Sequence, residues 1–374
     1  MRRERLFTPG PVELPEEVMG VLGRQVIHHR TPEFRESFLK TRELFKELIG
    51  SPSDNFVFFA SSGTGAMEAA VLNFFSEGDR VLVVVGGKFG ERWARLCRKY
   101  GLRVKELEVE WGKSVDVEVL RDFLRAYPDC KGVFIQACET STGAYHDVRA
   151  VGEVVGETDA LLVVDGITAL GVYNIKPELW GIDIIVGGSQ KALTLPPGLS
   201  LLWYSEKASH RITDRAYYFS VLEEIKKQKE GQTAWTPAVP LILALRESLS
   251  LLLKRGMDKV EREYRAISEG MGEAVASLGL EILPQNPSIS LTAIKTDMAD
   301  DLRGEMLRMG VRVAGGQGRL KGKVLRISHM GMSALDMVLA ISSLELAAKK
   351  LGFPVKLGTA VGTYLETVER AGYE

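Results

Sequence analysis

Lys191 ends the run Asp183-Ile184-Ile185-Val186-Gly187-Gly188-Ser189-Gln190-Lys191. The apolar, β-branched start reads as a buried strand, and it empties into a turn of small residues. Pro196-Pro197-Gly198 follows closely. A lysine walled in this way is poorly placed to be ordinary solvated surface. Asp165 closes a second apolar run, Ala160-Leu161-Leu162-Val163-Val164-Asp165. Parallel sheets place ligand-binding groups at the carboxyl ends of their strands. One lysine and one acid at two such ends suit a cofactor that needs a Schiff-base amine and a partner for a pyridinium nitrogen. Pyridoxal phosphate (PLP) is that cofactor.

Four further places could carry chemistry. Ser61-Ser62-Gly63-Thr64-Gly65 lies between a predicted strand at 56–60 and a helix opening at Ala66. Backbone N–H groups at a helix start, with the helix dipole and nearby hydroxyls, suit a phosphate; a plain capped turn would look the same. A dinucleotide site is the natural rival. Against it, the third glycine of GxGxxG would fall at Glu68, and the next strand ends in Gly86-Gly87 rather than in an acid for a ribose. Glu139-Thr140-Ser141-Thr142-Gly143 offers hydroxyls to a cofactor, or a cap to the next helix. Phe89 fits stacking on a flat ring and fits a core position equally. Arg326, between Leu325 and Ile327, needs neutralising. A substrate carboxylate held by a bidentate fork would do this, as would a structural acid.

The elements that must position these residues alternate along the chain. A helical pattern over 15–50 precedes strands at 56–60, 80–85, 103–108, 132–138, 161–165 and 182–187. Helices are expected from Ala66, at 91–100, at 117–126 and at 148–156. That alternation predicts an α/β fold with a mostly parallel sheet between helices. After Thr236-Pro237 the pattern changes. Long helices at 241–255 and 260–278 lead into short strands (288–293, 324–327) between helices (299–309, 335–351), the pattern of a smaller α+β domain. The expected division is an extended arm at 1–15, a large domain at 16–255 and a small one at 256–374, with the 241–255 helix linking the two domains.

Bulk properties remove several function classes. Lys+Arg 48 against Asp+Glu 49 gives net charge −1, so nothing electrostatic favours nucleic acid or an anionic membrane as partner. The longest apolar runs have the length of strands. The start, Met1-Arg2-Arg3-Glu4, lacks the apolar core of a secretory signal, which makes cytoplasm the expected compartment. Cys97, Cys130 and Cys138 are scattered without CxxC spacing, and the 5 histidines do not cluster. Neither a disulfide framework nor a metal site is expected.

Taken together, several stretches resemble the class V, fold-type I PLP-dependent aminotransferases, in particular the alanine–glyoxylate / serine–pyruvate group. They are Phe7-Thr8-Pro9-Gly10-Pro11, residues 61–70, Glu139 to Gly143, Val164-Asp165-Gly166-Ile167-Thr168-Ala169-Leu170-Gly171, Gly187 to Leu193, and residues 326–331. They occur in family order. The resemblance implies a seven-stranded-type sheet in the large domain and a homodimer with active sites at the subunit interface. It assigns the covalent cofactor link and proton transfer to Lys191, and the ring nitrogen to Asp165. Ser62, Gly63, Thr64 and Gln190 would hold the phosphate, Thr140 the ring-oxygen side, and Arg326 the substrate α-carboxylate. Phe89 takes the stacking position often held by tryptophan. Thr236 matches the residue that completes the phosphate site of a partner subunit, although an aromatic hydroxyl of some relatives is missing around Gln232-Thr233-Ala234-Trp235. The implied reaction is ping-pong transfer from serine or alanine to glyoxylate or pyruvate. A transaminase or lyase acting on another small substrate, such as an aminophosphonate, is the alternative, with Arg30 as a possible second cation. A desulfurase would need a cysteine beyond Cys138, and there is none.

Overall fold

In the computed structural model, residues 4–373 are described; Met1-Arg2-Arg3, the basic start of the arm, lies outside them. The centre is a seven-stranded sheet. Its strands are β1 (Phe56–Phe59), β2 (Arg80–Val85), β3 (Arg103–Glu108), β4 (Cys130–Gln136), β5 (Leu161–Asp165), β6 (Ile184–Gly188) and β7 (Ser200–Tyr204), in spatial order β1-β7-β6-β5-β4-β2-β3. Only β7 runs antiparallel to its neighbours β1 and β6. The apolar stretches in β2, β5 and β6 follow from burial on both faces of a parallel sheet. β3 is an edge strand and carries charges among its exposed positions.

A second, four-stranded antiparallel sheet joins Glu281–Ile282, Leu291–Lys295, Val324–Ser328 and Ala314–Gly315 in that spatial order. The helices Ala299–Arg308, Ala334–Lys350 and Thr359–Arg370 belong to this part of the chain. The arm is stitched to it: Arg5–Leu6 pairs in parallel with Val311–Arg312, and the Ser328 amide donates to the Phe7 carbonyl at 2.8 Å. No helix among the described residues is long and apolar enough to cross a membrane.

Several elements differ from expectation. The helical pattern over 15–50 is two helices, Glu16–Leu22 and Pro32–Ile49. Thr31 caps the second, and Pro32 starts it without needing an N–H. β4 stops at Gln136, because Cys138–Glu139 leaves the sheet to pair with Ala144–Tyr145. The strand expected at 288–293 is Leu291–Lys295, set by its register with Val324–Ser328. β7 was unforeseen. Its residues, Ser200-Leu201-Leu202-Trp203-Tyr204, lie just past a proline-rich turn, and only the reversal of the chain makes them a central strand.

Candidate active site

The carboxyl ends of the parallel strands open on a small cleft lined by Ser62, Gly63, Thr64, Phe89, Arg92, Thr140, Asp165, Ile167, Thr168, Gln190 and Lys191. Eight of the residues expected from sequence are therefore neighbours in one place.

Each is put there by a local device. Ser62 is the N-cap of the helix Gly63–Phe74, and its side chain makes no capping hydrogen bond. The helix thus presents N–H groups and a free hydroxyl to the cleft. Asp165 ends β5, and its Oδ1 accepts from the Ile167 amide at 2.9 Å. Burial pushes this carboxyl up to about 6; the Ile167 N–H opposes the shift and the charge of Glu139 adds to it. Lys191 follows β6. Its Nζ donates to the carbonyl of Pro9, brought over it by the arm. Burial lowers the Lys191 ammonium to about 8, with Arg326 adding to the effect and Asp165 opposing it. Gly10 lies so close that a Cβ there would stand 2.8 Å from Lys191 Nζ, and its φ of +109° also disfavours any side chain. Gly10→Val is therefore expected to weaken PLP binding at least about tenfold, read by titrating stripped protein with the cofactor. Unchanged affinity would mean the arm does not guard Lys191.

Arg326 lies beside this cleft and is only 5% exposed. Nε and Nη2 donate to the Gly315 carbonyl at 3.0 and 2.8 Å, and Nη1 donates to the Thr140 carbonyl at 2.8 Å. Its direct partners are thus backbone carbonyls, and among the described residues no acid bonds to it. Five N–H groups make three bonds, which leaves capacity for a carboxylate. Burial lowers its pKa to about 10 while Glu139 opposes the shift, so it is charged at neutral pH.

Two participants were missed in the sequence. Arg92 donates to Thr64 Oγ1 at 3.1 Å, and its guanidinium lies 4.9 Å from the centre of the Phe89 ring. Its position three residues after Phe89, on the same face of one helix, was the available signal. Glu139 is fully buried and accepts from the Phe89 and Gly90 amides at 3.0 Å each, at the start of the helix Lys88–Lys99. It also accepts from the Ser141 amide at 3.1 Å. Burial raises its pKa, and these donors pull it back. One carboxylate so ties the Thr140 loop to the Phe89 helix. Glu139→Gln turns one acceptor into a donor facing N–H groups. A loss of about 2–4 kcal/mol in urea unfolding is expected; a loss below about 0.5 kcal/mol would show that the tie is dispensable.

Not every expected residue joins the cleft. Thr236 lines a separate small cavity with Tyr218, Trp235 and Phe59. Arg30 donates to Gln232 Oε1 at 2.9 Å and is not among the lining residues. His329, next to the arginine motif, is fully buried between Thr292 Oγ1 and the Ile289 carbonyl, with burial pushing it down to about 4. Cys97, Cys130 and Cys138 are buried and unbridged.

Comparison with known proteins gives the lineage. The profile of the family described as "Aminotransferase class-V" matches residues 15–326. The chain belongs to the class-V aminotransferases. An aminotransferase of Helicobacter pylori (strain J99), named as uncharacterized, is 36% identical over 368 residues, covering 96% of this chain and 98% of that one. A serine–glyoxylate aminotransferase of Hyphomicrobium methylovorum is 34% identical over 380 residues, covering 96% and 93%. Among solved structures, an aspartate aminotransferase of subgroup IV from Thermus thermophilus is 33% identical with a TM-score of 0.87, covering 93% and 99%. The protein is accordingly a PLP-dependent aminotransferase of fold-type I. The cleft fits that cofactor. It offers an amine, a buried carboxylate and a helix N-terminus.

Proposed function

We propose that this class-V aminotransferase moves the amino group of a small amino acid, serine or alanine, to a small 2-oxo acid, glyoxylate or pyruvate, by a ping-pong route. The observation that carries the reading is Lys191 and Asp165 lining one small cleft, with Arg326 bonded to the carbonyl of Thr140 on its wall.

PLP, when bound, supplies an electron sink for the pair left at the substrate Cα. The protein's residues do the rest. The Gly63–Phe74 helix start, with Ser62, Thr64 and Gln190, would hold the phosphate. Phe89, steadied by Arg92, would cover the ring, and Thr140 would meet its oxygen side. The Asp165 carboxylate would hold a proton at the ring nitrogen. Lys191 Nζ, as a free amine, takes the proton from the substrate Cα. The Arg326 guanidinium fixes the α-carboxylate common to donor and acceptor, which orients the Cα–H bond.

Thr236 stands away from its own chain's cleft, which suits a role in a partner subunit's phosphate site. The exposed Tyr217 (80%) packed near Trp235 beside it suits a homodimer interface. The same reading places the dimer in the cytoplasm.

A second cation favours the other reading. Arg92 lines the cleft, and a dicarboxylate or aminophosphonate donor would use it. First half-reaction rates for serine, alanine, aspartate and an aminophosphonate, then glyoxylate and pyruvate as acceptors, separate the two. Aspartate or the phosphonate outrunning serine and alanine would replace the first reading with the second.

Arg326→Lys keeps the charge and loses the planar fork. The expected fall in kcat/KM is about 10- to 150-fold for every donor and acceptor, about 1.4–3 kcal/mol. The PLP dissociation constant should hardly move. Normal kcat/KM with collapsed PLP affinity would assign Arg326 to the scaffold.

A further inference from the structure

We infer that Gln136 is a positioning residue for Asp165, its buried side-chain amide, unpartnered in this structure, turning to donate to the carboxylate and helping to keep it ionised; this rests on the role proposed for Asp165 above.

Gln136 is the last residue of β4, and Asp165 is the last residue of β5. The two are in parallel register, Gln136 opposite Asp165, following Phe134 opposite Val163. Phe134 and Val163 share the core on the helix-covered face of the sheet, and Phe134 packs against Trp93 with ring centres 5.0 Å apart. Side chains two residues on return to the same face, so Gln136 and Asp165 lie side by side. Neighbouring strands stand about 5 Å apart, within the reach of a glutamine. Gln136 Oε1 lies toward the helix Lys88–Lys99, where a Cβ on Gly90 would stand 3.4 Å from it.

Gln136 has no exposed surface, and neither Nε2 nor Oε1 has a hydrogen-bond partner. A fully buried amide with both ends idle is rare and costly, because each lost bond to water goes uncompensated. Asp165 is the complementary case: a buried carboxylate whose only described hydrogen bond comes from Ile167. Each hydrogen bond donated to a buried carboxylate favours its charged form. The charged groups acting on Asp165 are Glu139, which works against ionisation, and Arg92 and Lys191, which favour it. Gln136 Nε2, unpartnered on the adjacent strand, is the neutral donor available to it.

The test is a spectroscopic titration of the holoenzyme. A proton held at the ring nitrogen lowers the basicity of the nitrogen joined to the cofactor's C4′, so the pH midpoint of the visible band reports on it. Gln136→Met matches length and volume and removes the donor. Its midpoint should rise by at least about half a pH unit, a threefold change in proton affinity. Its thermal midpoint should hold or rise, since two unpaired polar atoms leave the core. Gln136→Leu, which removes the donor with a different apolar side chain, should shift the band in the same direction, and it carries the test if the methionine variant fails to fold or load. Asp165→Asn is measured in parallel. If it shifts the midpoint and both Gln136 variants stay at the wild-type value, Gln136 has no such role and the reading of Asp165 stands. If Asp165→Asn itself leaves the midpoint in place, the reading of Asp165 fails and this inference with it. A large loss of thermal stability in Gln136→Met without a spectral shift would make the residue purely structural.

Discussion

Replacing Lys191 with alanine should reduce transamination by at least about 10³-fold while leaving a folded protein. No other amine in the cleft can take over proton transfer at the substrate Cα, and positioned acid–base groups contribute roughly 10²–10⁴-fold. The other cation lining the cleft, Arg92, carries a guanidinium rather than an amine. Folding should survive, because the only described hydrogen bond of Lys191 Nζ is to the Pro9 carbonyl. Its removal also frees the interior of an ammonium that burial disfavours. The measurement pairs single-turnover rates with circular dichroism. Partial recovery of rate with added small amines would identify the missing group as a base. Wild-type turnover without such amines would remove Lys191 from the chemistry.

Asp165→Asn should slow each proton-transfer step by more than tenfold, over about 1.4 kcal/mol of barrier, while some cofactor still binds. An amide has no charge with which to hold a proton at the ring nitrogen. A slowing below tenfold would make Asp165 structural. The same variant carries a pH signature in protein freed of cofactor. The native carboxyl, at about 6, holds its proton more tightly than the usual 3.8 of an unfolded aspartate. Between those values the native state binds more protons than the unfolded state, so Asp165 makes stability fall as pH rises from about 4 to about 6. Above pH 6 the cost is constant, at most about 3 kcal/mol. Asp165→Asn should lose that slope. Denaturant midpoints from pH 4 to 7 test it, and parallel profiles for the two proteins would mean that burial of the charge costs little.

The sequence by itself determined the sheet class, the change of pattern after Thr236-Pro237, and the strand ends that carry Lys191 and Asp165. These are local matters. An apolar β-branched run has the period of a strand wherever it lies, and an acid or lysine at its end is read from the same few residues. The Ser61–Gly65 turn was legible for the same reason, since the start of a helix advertises itself in Ser, Thr and Gly.

Only the tertiary structure decided what those residues meet. Lys191 Nζ bonds a carbonyl 182 positions earlier, because Arg5–Leu6 pairs with Val311–Arg312 and carries Pro9 across the cleft. Arg326 is held by Gly315 and Thr140 carbonyls, which no pattern of side chains could announce. Glu139 looked like one residue of a hydroxyl-rich loop, yet it caps a helix that begins 51 positions before it at Lys88. Arg92 was one of several charges on an amphipathic helix until the helix was laid beside Thr64. β7 became a central strand only once the chain reversed to pair with both β1 and β6. In each case a backbone or buried polar group had to be satisfied after removal from water. Which group satisfies it depends on what topology brings alongside, and that is fixed by packing between segments far apart in the chain.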